Sequence, residues 1–368
     1  MKFTCQRDTI LKEVDYANNF TSQRNSLTIS SNILLENFNN TLTIKSTDNK
    51  LGFTTSFPVA TEIPGSTTVT CDKFLAILKN LPATDIEFED DNDKMAISPV
   101  GEGKKIKFNL KTLPADRFPE LLTVEDSEYF SLSQRDFFDM ISKTSFAVGT
   151  DESKYFLTGI YLEKKNDQLV MVATDGKRLS CIRKSFEQQI PDIQSCIIPV
   201  KFLNILSIIG AGEGLLSLAI TPSSIFASVN GHFIYSSLII GQYPAYERVI
   251  PQSFTYSCNA KVEEMLAAIN RVSLFVDASS KKIFLDLNQD GIMVSGENAE
   301  LGDAKEIVQC EYSGPEAKIS FNINFFKTPL TKIDSDNFKL CYNTVTSAMA
   351  IFPDPEKDYI FIIMPMHG

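Results

Sequence analysis

Residues 73–78 of this chain read Lys-Phe-Leu-Ala-Ile-Leu, and residues 201–206 read Lys-Phe-Leu-Asn-Ile-Leu, 128 positions further on. The same spacing separates Gln6-Arg7-Asp8 from Gln134-Arg135-Asp136. Agreement at two distant places argues against coincidence. An internal repeat indicates that one structural unit is used more than once, and it therefore organises the whole chain.

The copies also end in the same way. An aromatic residue followed by proline lies near each boundary, at Phe118-Pro119 and at Tyr243-Pro244, and a fainter third copy begins at Phe254. The sequence therefore predicts three similar units of comparable length. They are an N-terminal domain, a middle domain and a C-terminal domain at residues 1–125, 126–253 and 254–368.

Hydrophobic periodicity indicates both helices and strands. In 131–141, Ser133 is placed to cap a helix whose apolar face carries Phe137, Met140 and Ile141. Residues 104–113 alternate apolar and polar side chains, as an edge strand that awaits a partner does. We predict an α+β fold in which each unit has two helices and antiparallel sheets. Periodicity alone fits either a closed ring of such units or an open three-domain crescent.

Composition and charge limit the classes of function. The chain has 368 residues, of which 43% are hydrophobic, and this is enough to form the cores of two or three domains. Its formal net charge of −11 argues against a protein that coats nucleic acid with its general surface, because such binding needs clustered Lys and Arg. Any contact with DNA must therefore come from a local basic face.

Cysteine and histidine usage argues against a metal site, a cofactor and a disulfide framework. The seven cysteines are scattered without a CxxC pair, and neither His232 nor His367 has the neighbours of a metal site or catalytic triad. The N-terminus turns polar within three residues, and no apolar run is long enough to cross a bilayer. We expect a reduced, soluble, cytoplasmic protein that uses no cofactor.

Three local motifs have simple structural interpretations. The run 210–214 lacks the spacing of a phosphate-binding loop and is typical of a helix-to-strand loop. Residues 174–178, Thr-Asp-Gly-Lys-Arg, follow an apolar strand and predict a tight turn. The apolar run 359–363 predicts a final core strand, and its Met-Pro-Met end at 364–366 also suits a surface that binds varied apolar partners.

The last two motifs resemble the β subunit of bacterial DNA polymerase III, the β sliding clamp family. That family carries an Ala-Thr-Asp-Gly turn followed by His or Lys and Arg-Leu, and it ends in a Met-Pro-Met strand. The resemblance covers the whole chain. Other segments in the family's order and spacing are Arg24-Asn25-Ser26-Leu27, Leu157-Thr158-Gly159, Tyr243-Pro244-Ala245-Tyr246, Arg248-Val249-Ile250-Pro251 and Tyr312-Ser313-Gly314.

The resemblance implies a non-enzymatic DNA sliding clamp, the processivity factor of the replicative polymerase. Members of the family are head-to-tail homodimers in which six similar units close a ring, with helices lining the hole. A heterologous contact that closes after two copies forms a finite ring. Matching positions place Phe108 and Leu110 of one copy against Leu274 and Phe275 of the other. The lysines of 104–113 would face Glu297, Glu300, Asp303 and Glu306.

The resemblance also implies a surface that faces double-stranded DNA without reading its sequence. The matching DNA contacts are Arg24, Lys154, Tyr155, Phe156 and Lys201. Thr150 and Asp151 replace the His and Gln of well-known members in the adjoining loop. Further cations expected on the lining helices are Arg7, Lys12, Lys73, Lys79, Arg135, Lys143, Arg271, Lys327 and Lys332.

In the family, short peptides from partner proteins dock in an apolar pocket between the second and third units. The implied partners are the replicative polymerase catalytic subunit, the clamp loader, repair polymerases and other proteins with clamp-binding motifs. Lys177 stands where His is frequent and Phe325 where Tyr may occur. The matching pocket positions are Leu157, Thr174, Gly176, Lys177, Arg178, Leu179, Pro244, Arg248, Val249, Thr346, Ile362, Ile363, Met364, Pro365 and Met366.

Two other classes of function stay open on the residues alone. A three-domain peptide-binding scaffold would share the pocket but would neither encircle DNA nor close a dimer. An enzyme would need a polar cleft with perturbed acids, for which Asp175 and Asp151 are the candidates. No catalytic motif supports the enzyme.

Overall fold

The computed structural model of the protein describes residues 1–22, 29–91, 93–101 and 106–366. Within them the chain forms six α-helices and 26 β-strands. The helices are α1 (Arg7–Asn18), α2 (Cys71–Asn80), α3 (Gln134–Thr144), α4 (Val200–Ile209), α5 (Val262–Val272) and α6 (Ile323–Leu330). The strands are β1 (Lys2–Gln6), β2 (Asn32–Phe38), β3 (Thr41–Thr47), β4 (Leu51–Pro58), β5 (Ala60–Ile63), β6 (Gly65–Thr70), β7 (Asp85–Asp90), β8 (Lys94–Pro99), β9 (Phe108–Leu113), β10 (Phe130–Ser133), β11 (Gly159–Lys165), β12 (Gln168–Thr174), β13 (Arg178–Ser185), β14 (Cys196–Pro199), β15 (Leu215–Ile220), β16 (Ser224–Val229), β17 (His232–Ser237), β18 (Tyr256–Lys261), β19 (Lys282–Asn288), β20 (Gly291–Asn298), β21 (Gly302–Val308), β22 (Cys310–Tyr312), β23 (Ala317–Asn322), β24 (Asn337–Tyr342), β25 (Met349–Asp354) and β26 (Tyr359–Ile363).

The chain divides into two compact units. The first comprises Met1–Gln134, Gln188–Pro191 and Lys201–Leu238, and the second comprises Arg135–Glu187, Asp192–Val200 and Ile239–Gly368. Each unit therefore takes up part of the middle repeat of the sequence. The domain boundaries near 125 and 253 stay predictions.

The first unit is built on one sheet of 13 strands. Their order is β10-β15-β16-β17-β4-β3-β2-β6-β9-β8-β7-β1-β5. Strand β17 pairs with β4 in an antiparallel register that sets His232 opposite Thr55. Strands from the first and second repeats of the sequence therefore share one sheet. Helix α1 packs its apolar face in this unit through Ile10, Val14 and Ala17, which are fully buried at helical spacing.

The second unit contains two sheets. The larger has the order β14-β11-β12-β13-β26-β25-β24-β18-β22, and the smaller has the order β21-β20-β19-β23. Strand β13 pairs with β26, so Arg178 lies opposite Ile363 and Leu179 opposite Ile362. The pairing of β13 with β26 corresponds to the pairing of β4 with β17 in the first unit.

The repeat is visible at the level of single strands. Strands β11, β12 and β13 each begin and end 127 residues after β2, β3 and β4. The turns after β3 and β12 also share their hydrogen bonds. The Thr47 hydroxyl donates to the Leu51 carbonyl over 2.7 Å, and the Thr174 hydroxyl donates to the Arg178 carbonyl over 2.6 Å. The sequence repeat therefore reflects one backbone arrangement that occurs twice in the fold.

The predicted α+β class with antiparallel pairing is confirmed, while one predicted boundary is wrong. Helix α3 begins at Gln134, directly after Ser133, the residue predicted to cap it, and Phe137, Met140 and Ile141 are buried as expected. The predicted strand 104–113 begins at Phe108. Alternation marks which face a residue occupies, but it does not fix where backbone pairing starts.

The 108–113 strand is also only partly a free edge. Phe108 and Leu110 pair with Ile97 and Met95 of β8. On the other side, Thr112 and Leu113 pair with β6. Within the described residues, the stretch from Phe108 to Lys111 has no strand on that second side. The lysines at 104 and 105 lie outside the described residues.

Candidate peptide-binding site and neighbouring surfaces

The turn between β12 and β13 is fixed by its own side chains. The Asp175 carboxylate accepts hydrogen bonds from the backbone N–H groups of Lys177 (2.9 Å) and Arg178 (3.0 Å). The Thr174 hydroxyl accepts one from the Gly176 N–H over 3.0 Å. Gly176 has a φ of 87°, a left-handed conformation that favours glycine. The sequence Thr-Asp-Gly thus sets the direction in which Lys177 and Arg178 leave the turn.

Arg178 is held by one carboxylate and two aromatic rings. Its Nε lies 2.9 Å from Asp175 Oδ2, and only 15% of its side chain is exposed. Its guanidinium lies 4.4 Å from the centre of the Phe325 ring and 5.7 Å from that of Phe146. Stacking on an aromatic face suits the planar guanidinium and limits its motion. The cation is therefore positioned before any ligand arrives.

The C-terminal tail docks beside this turn. The Met364 N–H donates to the Lys177 carbonyl over 2.9 Å. Further on, the Met366 N–H donates to the Ser320 carbonyl and the Ser320 hydroxyl donates back to the Met366 carbonyl, over 2.8 and 2.7 Å. Pro365 is buried, whereas the Met364 side chain is 41% exposed. The tail thus presents one flexible apolar side chain at a fixed position.

An apolar cluster lies under the turn and brings together several predicted pocket residues. Leu157, Leu179 and Ile362 are buried in it, and Ile363 is buried next to Ile362 in β26. The cluster also contains Tyr243 and Tyr246 of the segment 239–255, which we call the second connector. These residues come from distant parts of the chain and meet only in the fold.

Two tyrosines anchor the second connector. Tyr243 stacks on Tyr161 with ring centres 4.8 Å apart, and its hydroxyl donates to the Val172 carbonyl over 3.3 Å. The Tyr246 hydroxyl donates to Glu163 over 2.6 Å. Burial raises the pKa of both phenols, and the Glu163 carboxylate raises that of Tyr246 further. Both phenols therefore stay protonated donors near neutral pH.

The remaining predicted pocket residues are exposed. Pro244, Arg248 and Val249 follow Tyr243 on the second connector, and Thr346 lies in the β24–β25 loop. Lys177 is exposed at the turn itself. An apolar floor with exposed apolar and cationic groups beside it has the chemistry of a peptide site. The role of these residues in peptide binding stays a prediction.

Three of the predicted DNA contacts lie in one short 3₁₀ segment, Glu152–Leu157. Lys154 and Tyr155 are exposed, Tyr155 by 53%, whereas Phe156 packs against the apolar cluster. Asp151 begins the segment by accepting hydrogen bonds from the Ser153 hydroxyl and N–H, which lower the pKa of its carboxyl group. Asp151 therefore has a structural role here. Among the described residues, no carboxylate forms an ion pair with Lys154.

The other two predicted DNA contacts, Lys201 and Arg24, do not belong to this segment. Lys201 lies in the first turn of α4, and its Nζ is 3.6 Å from Asp48 with 54% of the side chain exposed. Arg24 lies outside the described residues. The structure therefore places four of the five predicted residues, and none of these placements tests DNA binding.

Some cations expected on the lining helices have local partners instead. Lys143 is buried between Asp139 and Asp334, at 3.0 and 3.4 Å, so the prediction that it offers a surface charge is wrong. Lys79 lies 3.1 Å from Asp15. Arg271 binds Glu306 through two nitrogens, and Glu306 is one of the acidic residues expected to meet the lysines of 104–113. Net charge alone did not reveal these pairings.

The two predicted dimer surfaces are partly exposed. Leu274 is 71% exposed and Phe275 is half-buried, in the 3₁₀ turn that follows α5. Phe108 and Leu110 are half-buried on β9. Leu301 and Ile307, at 67% and 57% exposure, add apolar surface near β21. Sequence reasoning missed these two, although both are apolar residues among charged neighbours.

His232 lies in a buried polar pair, whereas the cysteines are thiols that form no disulfide. His232 is buried with its Nε2 2.8 Å from Glu13 Oε2, a carboxylate neighbour that the sequence did not reveal. Burial opposes ionisation of Glu13, but hydrogen bonds from His232 and Thr55 outweigh it and lower the pKa of that carboxyl group. The cysteines form no disulfide, and burial raises the pKa of Cys5, Cys71 and Cys196 to about 12. Thiols of this kind are poor nucleophiles.

Across residues 1–22, 29–91, 93–101 and 106–366, no group of three His, Cys, Asp or Glu side chains is arranged to hold a metal ion. In the same residues, no helix is both long and apolar enough to span a bilayer.

Sequence reasoning also missed residues that support the site. Phe146, Ser320 and Glu163 hold Arg178, the tail and Tyr246 in place. Each acts across a long distance in sequence, and no local pattern marks it. The oxygens of Asp175 bind the predicted turn and Arg178, and the ion pair with Arg178 was not apparent from the sequence.

The chain is similar to known proteins along its whole length. Residues 1–122, 131–245 and 247–367 match the N-terminal, central and C-terminal domains of the DNA polymerase III beta subunit. The beta sliding clamp of Treponema pallidum (strain Nichols) is 34% identical over 371 residues, with 100% of this chain and 99% of the relative covered.

Solved structures agree with this. The sliding clamp of Bartonella birtlesii bound to griselimycin superposes with a TM-score of 0.93 at 25% identity, covering 100% of both chains. The DNA polymerase sliding clamp of Bacillus subtilis gives 0.92 at 25% identity, covering 100% of this chain and 99% of the other. The protein therefore belongs to the DNA polymerase III beta subunit family, the beta sliding clamps, and it is a non-catalytic sliding clamp with the three-domain fold of that family.

Proposed function

We propose that this sliding clamp works as a head-to-tail homodimer that closes around duplex DNA and tethers partner proteins by their peptides. Residues 1–125, 126–253 and 254–368 are the three domains of each copy, so the ring has six units. The observation that carries the proposal is the preformed site around Arg178. There the Met364 N–H binds the Lys177 carbonyl, and Arg178 lies opposite Ile363, so the exposed Met364 is held beside the turn that positions the Arg178 cation.

The pocket of the proposal consists of the residues that surround that site. Leu157, Leu179 and Ile362 supply its apolar floor, and Arg178 and Lys177 supply charge beside it. Preorganisation lowers the entropy lost on binding, which favours short peptides with few contacts. The other members are Thr174, Gly176, Pro244, Arg248, Val249, Thr346, Ile363, Met364, Pro365 and Met366.

Griselimycin, which is bound by the relative from Bartonella birtlesii, tests the pocket. We expect it to bind this chain, and we expect Arg178→Ala to weaken binding at least tenfold because the stacked cation and its packing are lost. Isothermal titration measures both. Lys50→Ala is the matched control, since it removes a cation from the turn after β3 in the first unit, where Lys50 corresponds to Lys177. Equal affinity of the Arg178→Ala variant and the unaltered chain would contradict the pocket assignment.

The dimer of the proposal joins β9 of one copy to the turn after α5 of the other. Phe108 and Leu110 lie beside the unpaired side of β9, and Leu274 offers the largest exposed apolar side chain of the second surface. Apolar burial at such a contact supplies most of its stability, and backbone pairing at an open edge fixes its direction.

Two charge substitutions test the dimer. Leu274→Glu combined with Phe275→Glu should give folded monomers, because two carboxylates would be buried without partners. Sedimentation gives the mass and circular dichroism the folding. Ile240→Glu, at a side chain that is 85% exposed outside the proposed contact, should remain dimeric. A double variant with unchanged dimer mass would favour the three-domain scaffold that does not encircle DNA.

DNA contact in the proposal comes from Lys154, Tyr155, Phe156, Lys201 and Arg24. Lys154 and Tyr155 are exposed beside the anchored Phe156, and Lys201, which pairs with Asp48 over 3.6 Å, keeps 54% of its side chain exposed. A closed ring is held topologically, so a few weak phosphate contacts suffice and permit sliding. The partners of the proposal are the replicative polymerase catalytic subunit, the clamp loader and repair polymerases, all in the cytoplasm.

A further inference from the structure

The first unit carries a groove that the proposed function does not use. It has a volume of about 920 Å³ and lies between the strands from β15 to β2 and the segment 115–129, which we call the first connector. Leu34, Lys45, Phe233 and Ser228 form part of its floor, and Leu121 lies on its opposite wall. The floor crosses six neighbouring strands, from β15 to β2. Strand spacing makes this about 24 Å long, the reach of about seven extended residues.

The same place in the second unit is filled. Leu34 and Glu36 on β2 correspond to Tyr161 and Glu163 on β11, 127 residues later. In the second unit those two residues hold the connector tyrosines at 243 and 246. The first connector has Phe118 and Leu121 at the corresponding positions, and the smaller Leu121 leaves space above the sheet. The groove therefore exists because one repeat lacks the aromatic filling of the other.

Polar groups beside the groove lack protein partners. Among the described residues, no backbone carbonyl accepts a hydrogen bond from the N–H groups of residues 120–124, which belong to no helix or strand. Tyr129 lines the groove, and its buried hydroxyl has no hydrogen-bond partner within the described chain. Unpaired backbone groups along an extended segment can pair with an added extended peptide.

Apart from one ion pair between Glu36 and Lys45, the charged side chains that line the groove are carboxylates. Glu36 is neutralised by Lys45 at 2.8 Å. Glu120 and Asp126 also line it, and in the described residues neither forms an ion pair. The segment 118–129 contains four carboxylates, at 120, 125, 126 and 128, and no Lys or Arg. An occupant with positive charge would therefore be favoured over a neutral or acidic one.

We propose that this groove is a second peptide-docking site, which takes an extended segment of about seven residues from another protein. Apolar side chains of the peptide would enter the groove toward Leu121 and Phe233, and Lys or Arg residues between them would face Glu120 and Asp126. The Tyr129 hydroxyl and the connector N–H groups would bind its backbone carbonyls. The inference does not depend on the pocket near Arg178.

A display library of random heptapeptides, selected against the full-length chain, tests the proposal. We expect the enriched peptides to combine two apolar residues with at least two Lys or Arg. Ser228→Trp should reduce their binding at least tenfold, because Ser228 is exposed on the groove floor and the indole would fill it. Ser257→Trp, at an exposed strand serine of the second unit, should bind like the unaltered chain.

Charge reversal distinguishes recognition from simple adhesion. Glu120→Lys combined with Asp126→Lys changes two exposed side chains, and selection against this variant should enrich acidic peptides instead of basic ones. The proposal is overturned if no enriched peptide loses affinity on Ser228→Trp, or if the charge preference does not change. A change in sedimentation mass on Ser228→Trp would also overturn it, because a second copy of the chain would then be the occupant.

Discussion

The two connectors cross equivalent strands but pack against them differently. The second connector places Tyr243 and Tyr246 into an apolar cluster and ties both hydroxyls to protein acceptors. The first connector packs Leu121 and Val124 against a smaller cluster of Ala219, Phe226 and Tyr235, and leaves a groove. A repeated backbone therefore fixes where a surface lies, while a few side chains decide whether it is a filled core or an open site.

The two turns also share their backbone hydrogen bonds but differ in one side chain. After β3 and after β12, a Thr and an Asp make matching hydrogen bonds to the turn backbone. The residue that follows is Leu51 in the first unit, which is buried, and Arg178 in the second. Only the second turn therefore presents a positioned cation beside its apolar cluster.

The largest difference should come from removing an anchor of the second connector. Tyr243→Ala should lower the free energy of unfolding by about 3–5 kcal/mol, because a buried aromatic side chain is replaced by a cavity. Leu121→Ala in the first connector should cost only about 1 kcal/mol, since Leu121 is half-exposed. Urea denaturation followed by circular dichroism gives both values. Equal costs would mean that the two connectors are anchored alike.

Removing a single hydroxyl sharpens the comparison. Tyr246→Phe should cost about 1–2 kcal/mol, because Glu163 loses a hydrogen-bond donor. Tyr129→Phe should be neutral or slightly stabilising, since the Tyr129 hydroxyl is buried without a partner in the described chain. The same denaturation experiment measures both variants. A clear loss of stability on Tyr129→Phe would show that this hydroxyl is already satisfied and would weaken the case for the groove.

The smallest effect is expected at the turns. Gly176→Ala should cost about 1 kcal/mol, because alanine is strained at a φ of 87° while its added carbon meets no neighbour. Asn49, at a φ of 73° in the equivalent turn, should tolerate replacement by glycine within a few tenths of a kcal/mol. Thermal unfolding of the two variants checks this. A larger loss at Asn49 than at Gly176 would mean that the two turns are not equivalent.

Much of this architecture could be predicted from the sequence, for an identifiable reason. The 128-residue repeat can be read directly from the sequence, and the Thr-Asp-Gly turn is a local pattern that local hydrogen bonds enforce. The stack of Phe146, Arg178 and Phe325 could not be predicted, because its members meet only through tertiary packing. The burial of Lys143 between two carboxylates and the groove under the first connector were missed for the same reason.

The most direct test of the sliding clamp account is retention of the protein on nicked circular DNA, loaded with clamp loader and ATP, before and after the circle is linearised. The account predicts stable retention on the circle at moderate salt and rapid loss from the linear ends. Equal retention on both forms would contradict encirclement and indicate ordinary surface binding. Absence from both, with a loader shown to be active, would instead favour the peptide-binding scaffold.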